Sequence, residues 1–125
     1  MLLTVGYVAA GGAIGSSLRY VVNVAAGRLF GIAFPWGTLI VNILGCAVMG
    51  ALATTLALKG GQRFAPFLLT GILGGFTTFS AFSLDAMNLW ERGQGQAAIA
   101  YVGASVILSL LAVLAGAALA KGVLG

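Results

Sequence analysis

The richest group of polar residues in this chain lies inside a long apolar segment, in the stretch 70–83. Near its middle, two adjacent glycines, Gly74 and Gly75, are followed by Thr77 and Thr78. Glycine is a poor helix former and β-branched residues are restricted in helices, so this order of residues predicts a break in a helix. Backbone carbonyls freed by a break in a membrane must face protein, a cavity or an ion. The alternative is an unbroken helix with a close packing contact.

Two phenylalanines follow at once, and their rings could act on an anion. Phe79 and Phe82 are three residues apart, which places them on one helix face with Ser80 and Ser83 beside them. Phenylalanine in a membrane helix usually packs or faces lipid, and that reading stays open here. An aromatic ring also has a positive edge, however. Ring edges directed at an ion path through the membrane would favour an anion, whereas a carboxylate there would repel it.

Two further sets of polar side chains recur at helical spacing. Thr38 and Asn42 are four residues apart and would offer O–H and N–H groups on one face. Tyr101, Ser105 and Ser109 repeat the same spacing and form a stripe of hydroxyls. A single serine or threonine often bonds its own helix backbone instead. A stripe of three indicates a polar track along the helix.

The missing residue types exclude several classes of protein. The chain has no histidine, and its two carboxylates, Asp85 and Glu91, both lie toward one end of the segment that contains the phenylalanines. Exporters that exchange protons for cations need a carboxylate inside the membrane. The sequence also contains no nucleophile–base pair, metal-ligand cluster or phosphate-binding loop, so it does not predict an enzyme.

The elements that must position these residues are membrane helices. Hydrophobic residues make up 61% of the 125 residues and charged residues only 6%, against about a quarter charged in soluble domains. A spanning helix needs about 20 apolar residues. We predict an all-α membrane protein with a single domain, 1–125, and four spans, at about 2–24, 35–58, 64–90 and 96–120. The net charge of +4 comes from isolated residues, which form no basic face for nucleic acid.

The basic residues near the helix ends give no preferred orientation. They divide evenly between the two sides, with Lys59, Arg63 and Lys121 on one and Arg19, Arg28 and Arg92 on the other. Lysine and arginine normally mark the cytoplasmic side. Three against three predicts insertion in both directions, and hence a homodimer of two oppositely oriented copies. An ordinary topology with one misplaced charge is the alternative.

Two pairs of glycines predict close helix packing. Gly11 and Gly15 are four residues apart, as are Gly71 and Gly75. Such pairs let helix backbones approach each other in lipid. They indicate packing and carry no information about a transported ion.

Three segments of the chain closely resemble the motifs of the Fluc (CrcB) fluoride channels. They are the run Gly74–Ser83 (GGFTTFSAFS), the run Gly15–Tyr20 (GSSLRY) and the run Trp36–Gly45 (WGTLIVNILG). With the four spans, the resemblance covers essentially the whole chain. It implies an antiparallel, dual-topology homodimer in the cell membrane, with two fluoride pores that are each built from both subunits. The implied activity is passive export of fluoride from the cytoplasm.

The resemblance also implies roles for individual residues. Phe79 and Phe82 would present ring edges to fluoride, and Asn42 would donate from its amide. The other members of the polar track would be Tyr101, Ser80, Thr38 and Ser105. Arg19 and Asp85 would lie toward the vestibules, where Arg19 either draws in anions or only reaches the membrane interface.

One structural sodium ion is the implied cofactor. The carbonyls of Gly74 and Thr77 from both copies would hold it at the centre of the dimer, since four oxygens suit a hard cation. The chain departs from the family at Ala81, where members usually have threonine, so the contribution of this position to the pore is in doubt.

Two rival functions remain at this point. A small dual-topology drug exporter would have a similar layout, although the missing carboxylate argues against it. A non-conducting subunit of a larger membrane complex would also fit the four spans.

Overall fold

The computed structural model describes all 125 residues as helical passes joined by short turns. The helices are α1 (Leu2–Phe30), α2 (Trp36–Lys59), α3 (66–76), α4 (Ser80–Glu91) and α5 (Gly95–Leu124), and a single 3-10 turn, Gln62–Phe64, precedes α3. Here α3 comprises a π-helical segment, Pro66–Leu73, and one α-helical turn, Gly74–Phe76. The all-α prediction is confirmed.

Three of the four passes are long and apolar enough to cross a membrane. They are Trp36–Lys59, the pass Gln62–Glu91 that contains α3 and α4, and Gly95–Leu124. The remaining helix, α1, has 29 residues, which is about 43 Å at 1.5 Å per residue, but it is less apolar. Two serines, two arginines and an asparagine in its second half account for the difference. α1 also continues to Phe30, past the predicted end at about residue 24.

The predicted break in the third pass is confirmed. α3 ends at Phe76, Thr77 adopts an extended conformation (φ −85°, ψ 159°), and α4 begins at Ser80. Before the break, the backbone follows the wider i→i+5 pattern of a π-helix, in which the Gly74 N–H reaches the Leu69 carbonyl. Such wide turns are rare and are frequent at functional sites.

The predicted glycine pairs meet each other. α1 runs parallel to α3, and Gly11 faces Gly71, so that a Cβ atom on Gly71 would lie 3.0 Å from the Gly11 Cα. One turn along, a Cβ atom on Gly15 would lie 2.8 Å from the Phe76 nitrogen. These contacts bring the two backbones together in the way that small residues allow in lipid. α2 and α5 form the second parallel pair, in which Gly50 and Gly116 each lie against the partner helix backbone.

Replacing Gly15 by alanine should loosen the α1–α3 pair, whereas replacing Gly12 should not. The added methyl group at Gly15 would meet the backbone of α3, which cannot move aside as a side chain can, and overpacking costs about 1–3 kcal/mol. At Gly12 the same methyl group would have nothing within 4 Å. We therefore expect a lower thermal unfolding midpoint for Gly15→Ala in detergent, and an unchanged or higher one for Gly12→Ala. Equal midpoints would contradict this packing.

Candidate ion-binding site

The side chain of Asn42 holds the break in the third pass. Its Nδ2 donates to the Thr78 carbonyl at 3.0 Å, and its Oδ1 accepts from the Thr78 N–H at 2.9 Å. α2 therefore supplies one amide that replaces two hydrogen bonds lost from the helix ladder. One N–H of the amide remains beyond the bond to Thr78, because the group has two donors.

Arg19 approaches the break from the other side, on α1. Its Nε donates to the Gly75 carbonyl at 3.1 Å, where α3 ends. A cation is favourable at the carbonyl end of a helix, which carries partial negative charge. The sequence analysis placed Arg19 near the end of its span, but the helix does not end there, because α1 continues to Phe30. Without Arg19, three basic residues lie near the helix ends on one side of the bundle and two on the other. The orientation in the membrane stays a prediction.

Two backbone carbonyls at the break accept no hydrogen bond from the chain. In a continuous helix, the Gly74 carbonyl would accept from Thr78 and the Thr77 carbonyl from Ala81. The Thr78 N–H is instead bound to Asn42, and the Ala81 N–H is bound to the Thr78 hydroxyl at 3.1 Å. These are the two carbonyls assigned to sodium by the resemblance. Free oxygens of this kind are the ligands that a hard cation takes, so the residues present fit that ion.

An open groove of about 490 Å³ lies beside the break. It collects side chains from α2, the broken pass and α5. The predicted residues among its lining are Asn42, Gly74, Thr77, Phe79, Phe82 and Ser105, and they are joined by Cys46, Thr78 and Ser109. The sequence placed these residues on three different passes, and the fold brings them to one surface.

The two phenylalanines differ in their surroundings. Their ring centroids are 5.4 Å apart, but Phe79 is 69% exposed whereas Phe82 packs against the core. Phe82 also lies 5.3 Å from the ring of Tyr101, which is fully buried. Packing against Tyr101 and the core holds one side of the Phe82 ring in place, and Phe82 also lines the groove. The Phe79 ring, by contrast, projects from the surface of the chain.

Ser105 contributes a buried hydroxyl that has no partner. Its side chain is only 5% exposed, and its Oγ is the one buried side-chain polar atom that makes no hydrogen bond. Buried polar groups are paired in the great majority of cases. Ser105 also lines the groove, so this unpaired hydroxyl lies beside the space that a ligand would enter, although its oxygen is itself covered.

The remaining predicted residues lie outside this groove. Thr38 and Asp85 line a second cavity of about 300 Å³, together with Ala81 and Asn23. The Tyr101 hydroxyl donates to the Asp85 carboxylate at 3.2 Å, so the phenol is already bound. Ser80 is exposed, with its hydroxyl 3.4 Å from that of Thr78.

The sequence did not identify Thr78 as a site residue. Its carbonyl and N–H bind Asn42, and its hydroxyl accepts from the Ala81 N–H near the start of α4. A threonine a few residues before a helical run is a known signal for this arrangement, because its oxygen can accept from the unpaired N–H groups of the first turn. That signal was present in the sequence.

Comparison with known proteins agrees with these motifs. The family model described as "CrcB-like protein, Camphor Resistance (CrcB)" matches residues 6–117. A protein of Paracoccus denitrificans is 63% identical over 115 residues, which are 92% of each chain. A protein of Cereibacter sphaeroides is 59% identical over 122 residues, 98% of each, and one of Ruegeria sp. is 55% identical over 126 residues, 99% of each. All three are named "Fluoride-specific ion channel FluC". The chain therefore belongs to the CrcB family.

Proposed function

We propose that this chain forms a fluoride-selective ion channel. The observation that carries the proposal is the unpaired Ser105 hydroxyl, buried in the groove that the Phe82 ring also lines. A donor without a partner and the positive edge of a ring suit a small anion. Relatives that are 55–63% identical to the chain are named fluoride-specific channels. A channel is not an enzyme, in agreement with the absence of catalytic motifs.

The groove would replace the water around fluoride. The second N–H of Asn42 and the Ser105 hydroxyl would donate to the ion, and the ring edges of Phe79 and Phe82 would complete its surroundings. Each contact is weak enough to let the ion leave, as conduction requires. Thr38, Tyr101 and Ser80 would continue the polar track, with Asp85 toward a vestibule and Arg19 beside the break. Flux is passive and follows the fluoride gradient.

A second copy of the chain would complete the pore. The groove is open on one side, and Phe79 projects from that surface with 69% of its area exposed. A partner in the opposite orientation would cover the groove of this chain, and this chain would cover the groove of the partner. The homodimer would then contain two pores. The near balance of basic residues at the two ends supports insertion in both directions.

A sodium ion would join the two copies at the break. The free carbonyls of Gly74 and Thr77 would be its ligands, contributed by both chains. When bound, the ion supplies a fixed positive charge that holds four carbonyl oxygens together. The chain's own part is to keep these carbonyls unpaired, through Asn42 and the Thr78 hydroxyl.

Export is the direction that membrane chemistry favours. We place the channel in the cell membrane of a microbe, where undissociated hydrogen fluoride leaks in and ionises in the less acidic cytoplasm. The anion cannot return through lipid, because a bare charge is costly in hydrocarbon. A passive pore is then sufficient to lower the fluoride concentration inside the cell.

Fluoride efflux from liposomes that contain only the purified protein tests the proposal. We expect rapid release at a fluoride electrode, negligible release of chloride, and no change when a proton gradient is imposed. Flux that depends on the proton gradient would favour an exporter. No flux from well-folded dimers would favour an accessory subunit and overturn the proposal.

A further inference from the structure

A separate cavity lies at the end of the bundle where α3 begins. Its volume is about 520 Å³, and it is lined by Tyr7 of α1 together with Arg63, Phe64 and Phe67. Three of these four residues are aromatic and the fourth is cationic. None of them belongs to the groove or to the second cavity, so the proposed channel leaves them without a function.

Arg63 is held in a position that leaves its donors free. Its guanidinium carbon lies 4.8 Å from the centroid of the Phe64 ring, so one face of the group is stacked. The N–H groups point along the edges of the guanidinium plane, and stacking does not use them. Arg63 makes no hydrogen bond or ion pair with another side chain. An oxyanion could therefore take two of its N–H groups at once.

The charged side chains at this end of the bundle are all positive. Lys59 and Lys121 lie at the same end of the bundle, since α2 and α5 both end there. The two carboxylates of the chain, Asp85 and Glu91, lie in α4, on the far side of the break. No acidic side chain of this chain lies at this end to compete for Arg63, and an anionic surface would be attracted to it.

We propose that this cavity binds one anionic phospholipid. The phosphate would sit on the guanidinium of Arg63, and the first part of an acyl chain would lie among Tyr7, Phe64 and Phe67. Tyr7 and Phe64 are each about half exposed (51% and 48%), which leaves this apolar surface open to a ligand. Tyrosine, here Tyr7, is common at the level of the lipid headgroups. The apolar lining distinguishes a lipid from free phosphate, which would use only the arginine.

Titration of the purified protein with phosphatidylglycerol in a neutral detergent tests the site. We expect a saturable rise in the thermal unfolding midpoint, with a dissociation constant that increases about tenfold in Arg63→Gln, as for the loss of a bidentate charged contact. Lys121→Gln removes the same charge at the same end and should bind nearly as well as the unchanged chain. Phe67→Ala, which keeps the charge, should also weaken binding. Fluoride flux of Arg63→Gln should be unchanged, because Arg63 lies outside the pore.

Three results would overturn the proposal. Equal losses in Arg63→Gln and Lys121→Gln would mean that the lipid follows the general positive charge of this end. Equal binding of phosphatidylcholine would mean that the anionic charge is not recognised. Equal stabilisation by inorganic phosphate would mean that the aromatic residues bind no acyl chain. None of these results depends on the channel function.

Discussion

Replacing Asn42 by aspartate is expected to reduce fluoride flux about a thousandfold. A carboxylate 4 Å from a fluoride ion costs about 4 kcal/mol at an effective dielectric constant of 20, and each 1.4 kcal/mol in the barrier is a factor of ten in rate. Aspartate also disturbs the break. One carboxylate oxygen could still accept from the Thr78 N–H, but the other would face the Thr78 carbonyl oxygen, where Nδ2 now donates. The same substitution thus acts on the ion and on the backbone beside it.

Efflux of fluoride from liposomes measures the effect, and two further variants separate its causes. Asn42→Ala removes the two hydrogen bonds to Thr78 and the N–H donor to the ion without adding charge, so it should retain more flux than Asn42→Asp. Gln62→Glu adds the same charge in an exposed turn at the end of the bundle and should leave flux unchanged. Normal flux in Asn42→Asp would show that Asn42 does not line the pore.

Replacing Phe82 by isoleucine is expected to reduce flux at least about tenfold while the protein still folds. Isoleucine keeps most of the bulk but has no positive ring edge. A cation over a ring face gains about 2 kcal/mol from the ring quadrupole when the contact is desolvated. A contact of the same size between fluoride and the ring edge corresponds to more than a factor of ten in rate. Stability should fall by only about 1–2 kcal/mol, through the lost ring contacts with Tyr101 and Phe79.

Phe34 offers a matched control for this substitution. Its ring centroid lies 5.5 Å from that of Tyr101, close to the 5.3 Å of Phe82, but Phe34 lines the second cavity and not the groove. Phe34→Ile should therefore lower the unfolding midpoint to a similar extent and keep most of the flux. Equal flux in the two variants would contradict the ring-edge mechanism at Phe82.

Local features of the sequence predicted much of this arrangement. The break follows from Gly74, Gly75 and the threonines after them, because these residues weaken a helix wherever it lies. The contact of Gly11 with Gly71 follows from their small size, which only close packing can use in lipid. The grouping of Phe82 with Ser105 came from the family resemblance, since no local rule predicts which faces of two helices meet.

Other features could not be predicted because they depend on tertiary contacts. Arg19 was assigned to a helix end, since a charge normally limits an apolar span. The bond from Arg19 to the Gly75 carbonyl lowers the free-energy cost of keeping this charge away from the helix end, and α1 continues for about three turns beyond it, to Phe30. Asn42 was expected to donate to an ion from its amide. Its pairing with Thr78 was not predicted, because it requires the exact separation of α2 from the break. Thr38 shares a helix face with Asn42 by spacing, and the fold nevertheless places it in the second cavity.

The way in which the break is held has a consequence for biogenesis. Its two side-chain partners, Arg19 and Asn42, both come from helices that precede it in the chain. A chain made from its N-terminus therefore has both partners in place when the broken segment leaves the ribosome. Unpaired backbone groups cost several kcal/mol each in hydrocarbon, so a break that entered first would lack protein partners until later helices arrived. The order of the passes along the chain provides each of these two contacts before it is needed.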